Sequence, residues 1–255
     1  MAIKRFGSSL HPSHPLFHLA DDAESLVDVG CNVGEALGFA HEMGIRRSFG
    51  IDINPHAIEQ AKQRLTQVRE CELYAGSADA IPAPDTSFDA AICLEVIEHV
   101  PEGLRAGVMR EVHRVLKPDG TFILTTPAAG LFAFLDPSNM RFRFRAGYEI
   151  LSRMLGGTAR DEGYRGQKHG VIWHEHFHLD TLRGLFTPFF DVRIVRFRGA
   201  LLSPIAESLL FPFYRWQALD TLPARALRWI SNFDLRRNFG QPLGYNVLIV
   251  AQRRQ

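Results

Sequence analysis

A chain of 255 residues, 46% hydrophobic and 22% charged, can bury a sizeable core, either as one domain or as one domain carrying an elaboration. Its net charge of +1 conceals an asymmetry: residues 1–138 hold 11 Lys plus Arg against 19 Asp plus Glu, whereas residues 139–255 hold 18 against 9. No apolar core of signal-peptide type follows residues 1–7 and no apolar run approaches the roughly 18 residues of a spanning helix, so neither secretion nor a membrane span is indicated and a cytoplasmic location is expected.

Residues 1–25 read as an irregular arm with His11, His14, His18, Pro12 and Pro15 before a short helix, and no chemistry is assigned to them. Strand and helix patterns then alternate: strand 26–30, helix 34–44, strand 48–52, helix 55–69, strand 72–75. This is the rhythm of βαβ units. The first strand runs into Gly30-Cys31-Asn32-Val33-Gly34. Its glycines let the chain turn tightly and approach a ligand without Cβ interference, while the next helix presents N–H groups of partial positive charge. The second strand ends at Asp52, 22 positions after Gly30, the spacing at which a carboxylate can bind ribose hydroxyls. Loop and carboxylate together specify a nucleotide-like cofactor site. Asn54 is a plausible cap for the helix that Pro55 opens.

Residues 90–94 make a fourth strand, residues 103–116 a helix halted by Pro118 and Gly120, and residues 121–126 a fifth strand. Such apolar strands suit a parallel sheet covered on both faces. After Pro127 the rhythm breaks into an insertion, residues 130–175, in which Phe132, Phe134, Phe142 and Phe144 are interleaved with Arg141, Arg143 and Arg145 ahead of a glycine-rich region. It reads as a lid or as disorder. A helix at 179–186, a strand at 190–197, a second insertion at 199–241 and a last strand at 243–252 complete the chain. The apolar stretch 200–216 is interrupted by Pro204, Pro212 and Glu207; it suits covering a substrate pocket, meeting a partner subunit or resting on a bilayer surface.

Residues 28–34, 50–55 and 76–89, then Glu95-Val96-Ile97-Glu98-His99-Val100 and residues 111–121, resemble in order the motifs of class I S-adenosylmethionine-dependent methyltransferases. The resemblance covers residues 26–127. It implies a Rossmann-like, doubly wound α/β fold: a seven-stranded, mostly parallel sheet with an antiparallel last strand, here carrying helical insertions. Residues 26–255 would form that domain after the 1–25 arm. The insertion at 199–241 departs from the short hairpin usual in the family.

The resemblance also implies a cofactor, S-adenosylmethionine, released as S-adenosylhomocysteine. Gly30 and Gly34 would let the loop pass under its methionine and ribose portions, with Cys31 and Asn32 offering backbone groups and Asp28 orienting the loop or the cofactor ammonium. Asn32 stands where the family most often has glycine, and asparagine tolerates left-handed backbone geometry better than other residues. Asp52 would accept both ribose hydroxyls, with Ile53 beside it; the alternative is that Asp52 only caps the next helix. At the adenine the family's acidic position is Ser77, so Ser77 and the Ala78 N–H are the expected contacts. Asp79 either replaces the missing carboxylate or is a solvated charge. Leu94 and Glu95 end the fourth strand, where open α/β sheets bind ligands.

Two histidines are candidate catalytic bases. His99 follows the cofactor-binding strand, though it equally suits orienting Glu95; His176 precedes the last helix. His174, His176 and His178 alternate as metal ligands would, but no metal site is assigned. Cys31, Cys71 and Cys93 fit reduced buried thiols. The expected acceptor is a small or lipid-like molecule, methylated at oxygen, with nucleic acid the least favoured partner and oligomeric state undetermined. A non-catalytic binding or scaffolding module and a nicotinamide-dependent oxidoreductase are the alternatives; the latter leaves the motifs after residue 76 unexplained.

Overall fold

The computed structural model describes residues 11, 14–136, 175–215 and 220–255. Most of the first insertion, including Phe142, Phe144, Arg141, Arg143, Arg145 and His174, therefore lies outside the described residues, as does Trp216.

Seven strands form one sheet: β1 (Ser25–Val29), β2 (Arg47–Asp52), β3 (Cys71–Ala75), β4 (Phe88–Leu94), β5 (Leu116–Pro127), β6 (Phe190–Arg198) and β7 (Asn246–Arg253), in the order β3-β2-β1-β4-β5-β7-β6. Strands β3, β2, β1, β4 and β5 run parallel. Strand β7 runs against both of its neighbours. The Tyr245 N–H donates to Gly199 O and the Arg254 N–H to Phe189 O, while the Ala128 N–H donates to Tyr245 O, so partner numbers fall as β7 advances. The expected mostly parallel sheet with an antiparallel last strand is the observed one.

Residue type explains each strand's place. All five residues of β1 are buried, as a central strand covered on both faces requires, whereas β3 at the sheet edge leaves Glu72, Tyr74 and Ala75 exposed. Helices α1 (Glu35–Glu42), α2 (Pro55–Arg64), α3 (Glu102–Val115) and α4 (Leu179–Phe186) turn their apolar stripes inward; α3, for example, buries Val108, Met109, Val112 and Val115.

Two expectations are corrected. Helix α2 ends at Arg64, not 69, because Leu65 leaves helical geometry and residues 66–70 turn, with Glu70 at φ 55°. Residues 117–120 do not separate helix from strand: α3 passes directly into β5, and Pro118, Asp119 and Gly120 lie in a bulge between the pairs Phe88–Leu116 and Ala90–Thr121.

The chain divides into two compact units, Met1–Thr126 with Leu179–Val195 and Leu248–Gln255, and Pro127–His178 with Arg196–Val247. The first holds the core of Leu26, Leu37, Ile58, Ala90, Ile92, Ile123 and Leu248. The second holds helices α5 (Leu202–Arg215) and α6 (Leu222–Leu235), which pack on one another. The apolar stretch with its two prolines forms a continuous helix within the expected helical insertion. Pro204 sits in the first turn, where its missing N–H has no intrahelical partner to lose, and the helix continues through Pro212. Asp234 of α6 caps this helix from outside: its Oδ2 accepts from Ala200 N at 2.7 Å and Ser203 N at 2.8 Å.

Candidate cofactor site

The C-terminal ends of β1, β2, β3 and β4, four consecutive strands of the sheet, bring together residues that the sequence separates by nearly seventy positions. The chain order reverses direction between β1 and β4, so this is the switch point where open α/β sheets leave a crevice for ligand.

The loop after β1 holds left-handed conformations at three alternate positions: Gly30 at φ 80°, Asn32 at φ 46° and Gly34 at φ 76°. Asparagine thus adopts the left-handed geometry expected of it. At Gly30 the need for glycine is also steric, because a Cβ there would lie 2.3 Å from Val96 Cγ2. The Gly30 and Cys31 N–H groups both donate to Ile51 O, at 2.7 and 3.0 Å, and the Gly34 N–H donates to Cys31 O at 2.8 Å. The N–H groups of Gly30, Cys31 and Gly34 are therefore spent on fixing the turn, as is that of Asn32, which donates to Asp52.

Asp52 is the hub. Its Oδ2 accepts from Asn32 N at 2.9 Å and its Oδ1 from Asn54 N at 2.8 Å, so each carboxylate oxygen keeps a second lone pair for a ligand hydroxyl. Helix α2 has its own cap: Asn54 Oδ1 accepts from His56 N at 3.0 Å. Asp52 O accepts from Gly76 N at 2.9 Å, which ties the end of β3 to the same residue. Ile53 beside it is 60% exposed, an apolar surface of the kind a ring stacks on. The described geometry fits a ribose diol and an adjacent base.

Asp28 is buried beneath the loop, and burial, aided by the charge of Asp52, pushes its carboxyl up to about 7. Burial likewise pushes the Cys31 and Cys93 thiols up, so both stay protonated and neither is an activated nucleophile. All three cysteines are free.

Past β3, the Ser77 hydroxyl donates to Asp79 Oδ1, which curls the loop so that both residues and Ala78 lie on one short turn. Its far end is held by a pair that the sequence reading did not single out. Glu111 on α3 accepts from Ile81 N at 2.9 Å, and Arg114, bound to Glu111, donates to Ile81 O at 2.7 Å, Ala83 O at 2.8 Å and Asp85 Oδ1 at 2.7 Å. Hydrogen bonds from Arg114 hold the Glu111 carboxyl below the usual carboxylate range. The two residues sit three apart on a helix, the spacing of a side-chain pair, within the motif at residues 111–121.

Leu94 is half-buried, and Glu95, exposed at φ 57°, donates its N–H to Thr125 O at 2.9 Å. His99 closes a short 3-10 turn, Ile97–His99, and is half-buried. Nearby, Thr126 donates to the fully buried Glu98 at 3.0 Å. In the second unit His176 Nε2 lies 3.3 Å from Asp136 Oδ2, within ion-pair reach though off the line of a hydrogen bond, and both side chains are buried. Asp136 was not foreseen. Among the described residues no three His, Cys, Asp or Glu side chains gather as a metal would need.

Residues 27–124 match the methyltransferase domain family. The chain is 28% identical over 186 residues to a ubiquinone/menaquinone biosynthesis C-methyltransferase of Citrifermentans bemidjiense, covering 69% of this chain and 74% of the relative. It is 34% identical over 120 residues to the 27-O-demethylrifamycin SV methyltransferase of Amycolatopsis mediterranei, covering 43% of each. The chain spans about a third of the length of other curated relatives, 31%, 34% and 29% of three of them. Its fold is that of a geranyl diphosphate C-methyltransferase from Streptomyces coelicolor, solved with S-adenosylhomocysteine, at a TM-score of 0.54 and 17% identity over 91% of this chain and 73% of that one.

Proposed function

Because the chain carries a class I S-adenosylmethionine-dependent methyltransferase domain, we propose that it transfers a methyl group from that cofactor to a small-molecule or lipid-like acceptor at oxygen. The observation that carries the reading is the double engagement of Asp52, which orients a diol-accepting carboxylate against the loop after β1.

When bound, the cofactor supplies an electrophilic methyl group on a sulfonium. Asp52 is the proposed anchor for the ribose hydroxyls, Ile53 and Leu94 the apolar contacts of the base, and Ser77, Ala78 and Asp79 its polar edge. Glu95, Gly34 and the backbone at Gly30, Cys31 and Asn32 line the remainder, with the Gly30 carbonyl and Asp28 matching the ammonium. In-line displacement asks the protein mainly to align the reactants, and for a hydroxyl acceptor to remove a proton. His99, in the same unit as the cofactor loop, is the proposed proton acceptor, and His176 is the second candidate.

A carbon acceptor is the second reading, favoured by the similarity to the quinone-pathway C-methyltransferase. Incubating cell extracts with isotopically labelled S-adenosylmethionine and identifying the labelled product by mass tests both. A labelled oxygen ether or ester is expected; a labelled carbon moves the assignment to the second reading, and no label in any product removes both.

A further inference from the structure

We propose that the outer face of α5 and α6 is a docking surface for an anionic lipid bilayer. The two helices bury one face against each other and the rest of their unit: Ser203, Ala206 and Leu210 from α5, and Ala224, Ser231 and Asp234 from α6. A soluble helix would turn polar residues outward from there. These do the opposite. Leu202, Ile205 and Leu209 form an exposed stripe on α5, with Leu209 56% exposed. On α6, Leu222, Ala226, Trp229 and Phe233 recur at four, three and four residues and so share one side, opposite the buried positions; Leu222 is 82% and Trp229 65% exposed.

The charges name the partner. Arg225, Arg228, Arg236 and Arg237 are all exposed on or at the end of α6, and Arg225, Arg236 and Arg237 flank the apolar stripe. Arg237 lies over the Phe233 ring at 4.3 Å, and Trp229 stacks on Phe233 at 5.5 Å. The acidic groups are largely withdrawn: Asp234 is buried as the cap of α5, and Glu207 accepts from Ser231 at 2.9 Å, leaving Asp220 as the exposed carboxylate among the described residues of 199–241. A helix with Trp, Phe and Leu on its outer stripe and arginines beside it suits a negatively charged interface, with rings at the acyl boundary and guanidinium groups at the phosphates. A second copy is a poorer occupant, because stacking two such faces brings like-charged arginine rows together. No helix of the described residues is long and apolar enough to span a membrane, so the contact is interfacial. The surface rests on no assumption about methyl transfer.

Co-sedimentation of the full chain with sucrose-loaded vesicles tests it, using phosphatidylcholine alone and phosphatidylcholine mixed with phosphatidylglycerol. Partition onto the mixed vesicles is expected to exceed that onto the neutral ones about tenfold or more and to fall as salt rises. The exposed-site variants Trp229→Ser/Phe233→Ser and Arg225→Gln/Arg228→Gln/Arg236→Gln, with wild-type thermal melts, should each lose about tenfold. Absence of binding to either vesicle, or equal binding to both, overturns the proposal. So does a dimer that Trp229→Ser/Phe233→Ser converts to monomer, which would give this face to a second copy.

Discussion

The backbone N–H of Asn32 lies 2.9 Å from Asp52 Oδ2, joining the loop after β1 to the residue that closes β2 across twenty positions of sequence. One carboxylate therefore shapes the loop and remains able to receive a ligand.

Removing it should show in both roles. Asp52→Ala deletes the acceptor of two backbone N–H groups and a charged partner for hydroxyls, so S-adenosylhomocysteine affinity should fall on the order of a hundredfold, with a loss of about 1–3 kcal/mol in stability. Calorimetry and chemical denaturation measure the two. Wild-type affinity in this variant would remove Asp52 from the site.

Gly30→Ala places a methyl group against Val96 at φ 80° and should cost about 2–4 kcal/mol in denaturant unfolding. In a Val96→Ala background most of the steric part should go, since only Val96 Cβ at 3.1 Å stays close, and the backbone part remain. Equal costs in both backgrounds would show that Val96 is not the obstacle.

Asp28 makes stability depend on pH in an identifiable direction. Its carboxyl is pushed up to about 7 in the fold against an ordinary value of 3.8, so between those values the folded state holds a proton that the unfolded chain has released. Stability from this group is full below about pH 4 and is lost as pH rises to about 7. Asp28→Asn should flatten that slope in thermal melts across this window; an unchanged slope would contradict the assignment. A cationic cofactor beside Asp28 favours its ionised form, so binding near neutrality should release protons, detectable as a dependence of binding heat on buffer ionisation enthalpy.

The two histidines separate by kinetics. His99→Ala should lower kcat on the order of a hundredfold while leaving S-adenosylhomocysteine affinity unchanged. Undiminished turnover in His99→Ala would shift the role to His176.

Much of this was legible in the residues. The alternation of apolar strands with capped helices gave the parallel half of the sheet, since buried central strands such as β1 must be continuously apolar. Asn32 could be foreseen as left-handed because few other side chains tolerate that geometry. Less legible were features set by contacts remote in sequence. Pro118 and Gly120 signalled a break, yet pairing with β4 absorbs them as a bulge; the cap that Asp234 supplies to α5 from α6 had no local signal. The Glu111–Arg114 clamp and the Asp136–His176 pair join positions whose proximity or targets only tertiary structure creates.

The most direct measurement is calorimetric titration of the wild-type chain with S-adenosylhomocysteine, with NADH as the control. Saturable one-to-one binding of the thioether and none of NADH is expected. Absence of binding by the thioether, or binding of NADH in its place, would contradict an adenosyl-sulfonium site at the ends of β1 and β2.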